Sequence, residues 1–131
     1  MIIAKVTGHV VATQKEPAMA DSRLVVVEVH NAAVTGTMVS GAAISGQVTP
    51  AAPGPAAPGS GGASLKPSGR IVAAVDSLGA GIGDFVLVTQ GSSARMTERT
   101  KSMPVDAVVI GIVESIRLGS TVLSHADRTL V

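Results

Sequence analysis

Three glycines at alternate positions, Gly79, Gly81 and Gly83, stand just ahead of an apolar run in the stretch GAGIGDFVLVT. Glycine-rich loops bind phosphate when they open a helix, because the free amide groups of the helix start then point at the anion. A dinucleotide-binding loop has the spacing G-x-G-x-x-G ahead of a helix, and a P-loop ends in Gly-Lys-Ser/Thr. Here the spacing is G-x-G-x-G and the next residues are typical of a strand. The run therefore predicts a tight turn between strands, where glycine supplies positive φ.

A second candidate for chemistry is the stretch GSSAR at residues 91–95. A nucleophilic serine would need a base within hydrogen-bond reach and an acid that orients the base. The chain has three histidines: His9, His30 and His125. None of them stands in a recognisable signature with Ser92 or Ser93, although folding could bring them close. The pattern favours one of these serines as the N-cap of a short helix. A modest anion site at that helix start, beside Arg95, is the alternative.

The other titratable residues are scattered and indicate no catalytic or metal site. The histidines show neither H-x-H nor H-E-x-x-H spacing, so we expect no metal ion. Four acidic residues flank or interrupt apolar stretches: Asp76, Asp84, Asp106 and Glu114. Solvated strand ends or ion pairs between subunits account for these acids better than a pair of catalytic carboxylates. We therefore expect no catalytic residue and no cofactor.

The composition favours a small β-protein and argues against several function classes. The 131 residues suffice for one domain, and 46% of them are hydrophobic, with one phenylalanine, no tryptophan and no tyrosine. Small and β-branched side chains pack well in thin β-layers. The net charge of +1 offers little attraction to nucleic acid or to a membrane surface. No cysteine, signal peptide or long apolar run is evident, so we expect a cytosolic protein without disulfides.

Alternating apolar residues predict the elements that must position these side chains. We expect five strands and one short helix, over residues 2–13, 23–30, 70–76, 84–89 and 105–118 for the strands and 92–99 for the helix. The glycine run should join the third and fourth of these strands into a pair. Such an inventory, with at most one further edge strand, suits a small closed barrel, so the predicted fold class is all-β.

Two stretches stand outside the barrel pattern. Residues 47–68 are rich in proline, alanine, glycine and serine, which cannot bury enough apolar surface to offset the cost of ordering. We interpret them as a flexible insertion, either a tethering segment or a tolerated loop, within a single domain of residues 1–131. Residues 119–131 are expected to form a C-terminal tail or one short edge strand.

The predicted strands carry more apolar surface than one barrel interior can bury. Within residues 23–30, Val25, Val27 and Val29 occupy one face, while Leu24 and Val26 leave apolar surface on the other. Large exposed apolar patches usually mark association surfaces. The chain is therefore expected to form an oligomer, which would supply much of the stability of so small a subunit.

Three separated segments carry a family resemblance: MIIAKVTGHVVATQKEP, VAAVDSLGAGIGDFVLVTQGSSAR and PVDAVVIGIVESI. Together they resemble the bacterial microcompartment vertex family, the EutN/CcmL type, over roughly residues 1–30 and 70–118. The resemblance implies an OB-like, five-stranded barrel that assembles as a cyclic homopentamer. It implies a structural protein, not an enzyme, that caps the vertices of a polyhedral shell. That shell would belong to a carboxysome or a metabolosome in the bacterial cytoplasm.

The resemblance also implies roles for the glycine run and for residues 91–95, as conformational features of the barrel and of its subunit contacts. Gly91, Ser92 and Ser93 are expected near the five-fold axis, where they would line a narrow polar pore that tolerates a small anion. Three charged residues are expected at subunit contacts: Arg95, Asp76 and Asp106. The implied partners are further copies of the chain and the hexameric and trimeric proteins that tile the shell facets.

Two other functions stay open on the sequence alone. OB-like barrels also bind single-stranded nucleic acid, but through aromatic platforms and a basic groove, which one phenylalanine and a net charge of +1 do not provide. A small enzyme with a serine–histidine pair would lose its turnover when His9 or Ser93 is replaced.

Overall fold

The structure is a computed structural model that describes residues 1–34, 62–126 and 130. These residues form seven β-strands: β1 (Ile2–Val10), β2 (Arg23–Val34), β3 (Ala63–Asp76), β4 (Phe85–Gln90), β5 (Ala107–Val113), β6 (Ser115–Leu118) and β7 (Thr121–Ser124). Two short 3-10 helices accompany them, Pro17–Met19 and Gly91–Arg95. None of the helices in these described ranges has the length and apolar character needed to cross a membrane.

Five of the strands close into a barrel in the order β1-β2-β3-β5-β4, and β4 pairs with β1 to complete it. The pairing is antiparallel everywhere except between β3 and β5, where Val75 lies opposite Val108 in a parallel register. The predicted pairing of residues 70–76 with residues 84–89 is therefore wrong, because β5 lies between these strands. The predicted all-β fold class with a small barrel is confirmed.

Small side chains fill the barrel interior. The buried cluster inside consists of alanines and valines: Ala4, Val6, Val25, Val27, Ala74, Ala80, Val86, Val88, Ala107 and Val109. Side chains fill the interior of a small barrel, and in this one alanine and valine fill it.

The one phenylalanine lies on the outer wall, beneath a C-terminal hairpin formed by β6 and β7. Phe85 is buried there with Leu123 and Leu130, and the ring of His30 meets it edge-on, with the centroids 5.0 Å apart. The predicted long strand over residues 105–118 is thus divided into β5 and β6. Within the predicted C-terminal tail, residues 121–124 form β7, and Leu123 and Leu130 pack against Phe85.

The hairpin of β2 and β3 is longer than the sequence predicts. β2 continues to Val34, which lies opposite Ala63 at the start of β3, so residues 63–68 of the predicted insertion belong to a strand. Pro67 and Gly69 are strand breakers in most contexts, but the register here shifts between Glu28 and His30. That irregularity accommodates both breakers, and the Ser68 hydroxyl donates to the Val29 carbonyl at 2.7 Å. Residues 47–61 of the predicted insertion lie outside the described residues.

Candidate functional site

The turn between β3 and β4, residues 77–84, is called the glycine turn, and its first half is held by one carboxylate. The Asp76 Oδ1 atom accepts the backbone N–H groups of Leu78 at 2.9 Å and of Gly79 at 3.2 Å. The Oδ2 atom accepts the N–H of Ala80 at 2.8 Å. Three successive amides therefore converge on a side chain of the same subunit.

A second carboxylate holds the end of the glycine turn. Asp84 accepts the N–H of Gly81 at 2.8 Å through Oδ2, and the N–H of Gly83 donates to the Val6 carbonyl of β1 at 2.8 Å. Gly79 and Gly83 have φ values of 84° and 94°, a conformation that glycine adopts without strain. The N–H groups of all three glycines are thus bonded within the chain and not free to cradle a phosphate, which confirms the predicted architectural role of the glycines.

Asp76 also bonds with the start of β2. Its Oδ2 lies 3.5 Å from a guanidinium nitrogen of Arg23, whose other terminal nitrogen donates to the Ala80 carbonyl at 2.7 Å. The Asp76 side chain is fully buried within a single subunit. This carboxylate therefore makes its contacts inside the subunit, and the expected place of Asp76 at a subunit contact stays a prediction.

Residues Gly91–Arg95, the GSSAR segment, form the second 3-10 helix. Gly91 turns the chain out of β4 with a φ of 70°, and its N–H donates to the Asp106 carbonyl at 2.8 Å. The helix starts directly at this glycine, so its N-cap is Gln90, which makes no side-chain capping bond. The prediction of Ser92 or Ser93 as the N-cap is therefore wrong, since both lie inside the first turn. Both serines are exposed.

A buried threonine supports the GSSAR segment from below. The Thr100 hydroxyl donates to the Ala94 carbonyl at 2.5 Å and lies 2.6 Å from the Thr97 hydroxyl. The Ala94 side chain packs with Val75 and Val108 on the outer wall of the barrel. The segment is therefore fixed to the barrel by its inner side, while its serines face outward. Sequence reasoning missed Thr100, although the T-x-x-T spacing is typical of local side-chain capping.

The remaining site residues are placed apart from one another. Arg95 and Asp106 are exposed, which leaves their predicted role at a subunit contact as a prediction. The histidines have other neighbours: His9 contacts Arg23, His30 contacts Phe85 and His125 lies 3.9 Å from Asp84. Within the described part of the chain, no serine–histidine pair forms at the GSSAR segment, and no cluster of His, Asp and Glu side chains could hold a metal ion.

Comparison with known proteins gives one consistent result. A family model described as "Ethanolamine utilisation protein EutN/carboxysome" matches residues 1–114. The bacterial microcompartment shell vertex protein EutN of Salmonella typhimurium is 32% identical over 125 residues, with 95% of both chains covered. The solved structure of CcmL from Gloeobacter violaceus is 28% identical with a TM-score of 0.68, and covers 97% of this chain and 100% of its own.

A further solved structure carries information on assembly. GrpN from Rhodospirillum rubrum, described as a pentameric microcompartment shell protein, is 28% identical with a TM-score of 0.56. The alignment covers 90% of this chain and 98% of the GrpN chain.

Fold and site together define a small all-β barrel that presents shaped surfaces for assembly. The chain belongs to the EutN/CcmL family, and the matched members are shell vertex proteins of bacterial microcompartments. It is a structural shell protein, not an enzyme, and such shells lie in the bacterial cytoplasm. The family resemblance carried by the three sequence segments is confirmed.

Proposed function

We propose that five copies of this chain close into a ring that caps the vertices of a polyhedral microcompartment shell. The match to a pentameric shell protein over 90% of the chain carries this proposal. A sheet of six-fold tiles is flat, and five-fold units introduce the curvature that closes it. A ring of five requires a heterologous contact, in which two different surfaces of neighbouring copies meet and the ring closes after five copies. The proposed function therefore depends on the shape of these contact surfaces.

The GSSAR segment is proposed to surround the five-fold axis, with Gly91, Ser92 and Ser93 lining a narrow opening. Both serines are exposed, which gives the segment a polar edge at the surface. The hydrogen bond that Thr100 donates and the one that the Asp106 carbonyl accepts hold this edge rigid. These features support the assignment. Small side chains allow five copies to approach the axis closely. The opening would be lined by hydroxyl and amide groups, which tolerate a small anion.

The partners proposed beyond the ring are the hexameric and trimeric shell proteins of the facets. Exposed apolar side chains around the glycine turn support contacts outside the subunit: Leu78 and Ile82 are 49% and 65% exposed. Since the turn is fixed by Asp76 and Asp84, these side chains form part of a rigid surface and not of a mobile loop.

Native mass spectrometry of the full chain tests the ring, and the expected result is the mass of five chains. Co-expression with facet proteins tests the vertex role: electron microscopy should show closed polyhedra with the chain present, and open sheets or tubes without it. A chain that stays monomeric at high concentration and never joins facet tiles would contradict the proposed function.

A further inference from the structure

The GSSAR segment has a positively charged residue at its end and a negatively charged residue beside its start. Arg95 is its last residue. At its first residue, the Gly91 N–H donates to the backbone carbonyl of Asp106 at 2.8 Å, so residue Asp106 adjoins this end of the segment. Both side chains are exposed, and neither forms an ion pair with any residue that the structure describes.

Neighbouring charges are accounted for in other ways. Glu98 and Lys101 pair with each other at 3.2 Å in the loop that follows the segment. Arg70 donates to Gln90 at 3.4 Å. Arg99 is exposed and lines the groove shared with Pro17 and Arg23. Arg95 and Asp106 are thus the charged pair that brackets the segment and has no partner within the described subunit.

A cyclic ring needs two different, complementary surfaces on each copy. A short segment that is positive at one end and negative at the other meets this requirement when copies follow one another head to tail. Five residues of 3-10 helix span about 10 Å, so the two ends of the segment are separated on one subunit. The Arg95 charge of one copy meets the Asp106 charge of the following copy when the end of one segment adjoins the start of the next segment.

We propose that Arg95 of each copy pairs with Asp106 of the following copy, and that five such junctions orient the GSSAR segments head to tail around the axis. This inference rests on the proposed pentamer and specifies its contact. An arginine–carboxylate pair can form two parallel hydrogen bonds, which fixes direction as well as distance. Because the arginines are held at the junctions, the opening itself is lined by uncharged serines.

Charge reversal tests the pairing. R95D and D106R each place like charges at all five junctions, and the double variant R95D/D106R restores opposite charges in reversed order. In low salt, each single variant should raise the concentration for half-assembly by about tenfold or more, and the double variant should regain most of the loss. At about 1 M salt, where charges are screened within about 3 Å, the differences should shrink.

A matched control uses the exposed pair in the adjacent loop. The variant E98K/K101E reverses two charges near the segment without touching its ends, and it should assemble like the wild type. Circular dichroism and thermal melting of each variant show whether the barrel is intact.

The outcomes separate this inference from the proposed function. Wild-type pentamers with R95D and D106R variants that assemble equally tightly would overturn the pairing and leave the ring standing. A double variant as weak as the single ones would show that Arg95 and Asp106 have other partners. A wild-type chain that forms no pentamer would contradict the proposed function itself.

Discussion

The carboxylate of Asp76 lies 3.5 Å from the guanidinium of Arg23 and accepts three backbone N–H bonds from the glycine turn at the same time. One buried side chain therefore joins the start of β2, the end of β3 and the approach to β4. Burial of a charge is costly unless it is paired and hydrogen-bonded, and here both conditions are met. The exposed surface of the turn depends on this internal arrangement.

Replacing this carboxylate by an amide should therefore destabilise the barrel. D76N keeps the shape but loses the charge, and its NH2 group faces backbone N–H donors. We expect the free energy of unfolding to fall by about 2–4 kcal/mol, measured by chemical denaturation. The control D21N changes an exposed aspartate that lines the same groove as Asp76 and should alter stability by less than about 0.5 kcal/mol. Equal stability of D76N and the wild type would refute this account.

The glycines of the turn should differ in their tolerance of alanine. Gly83 has a φ of 94°, so G83A should cost about 1–3 kcal/mol of unfolding free energy through backbone strain. Gly81 lacks a positive φ, and a Cβ there would lie 3.6 Å from the Asp84 Oδ2, an ordinary contact. G81A should therefore stay within about 0.5 kcal/mol of the wild type. Thermal denaturation of the two variants compares them directly, and equal losses would contradict the role of backbone conformation.

Thr100 should contribute more to the stability of the subunit than its position in a loop indicates. T100V keeps the volume but removes the hydroxyl bonds to Ala94 and Thr97, and leaves the Ala94 carbonyl without this donor. We expect a loss of about 1–3 kcal/mol of unfolding free energy, together with faster amide exchange in the GSSAR segment. T121V, on the half-buried face of β7, serves as a comparison that leaves the segment unchanged. Unaltered exchange in T100V would show that the segment is held by other contacts.

The serines of the segment should be dispensable for assembly. S92A/S93A removes two exposed hydroxyls that make no hydrogen bond to other described residues, so native mass spectrometry should still detect pentamers. Loss of the pentamer in this variant would place the serines in the subunit contact and contradict their assignment to the opening.

The C-terminal hairpin should stabilise the barrel through its inner face. L123A removes a buried side chain that packs on Phe85 and should cost about 2–4 kcal/mol of unfolding free energy. Val122, the residue before it in β7, is 47% exposed, and V122A should cost much less. Comparable losses in urea denaturation would mean that the hairpin does not act as a cover.

Local pattern predicted much of the strand inventory, because alternation and β-branching are visible within a few residues. It did not predict the parallel contact of Val75 with Val108. These residues belong to β3 and β5, which are separated in the sequence by β4, and closure of the whole barrel decides the register of such strands. The extension of β3 through Pro67 and Gly69 was missed for a similar reason. Breakers are tolerated there only because the partner strand shifts its register at the same place.

The architectural role of the glycine turn was predicted from the sequence, but the surroundings of individual residues were not. Glycines signal positive φ wherever they occur, so the turn was correctly interpreted as architecture. Burial of Asp76 was not visible, because a charged residue at a strand end looks the same whether it faces solvent or a cluster of amides. The helix start at Gly91 was misplaced because serine preference for N-caps competes with the chain reversal that glycine permits.

The parallel contact between β3 and β5 has a consequence for biosynthesis. A ribosome delivers β4 before β5, yet β5 occupies the gap between β3 and β4. Until residues 107–113 have emerged, the sheet retains two open edges, which are prone to pair with other chains. The wall closes only once β5 has been synthesised, so any contact that depends on the closed barrel has to follow this step.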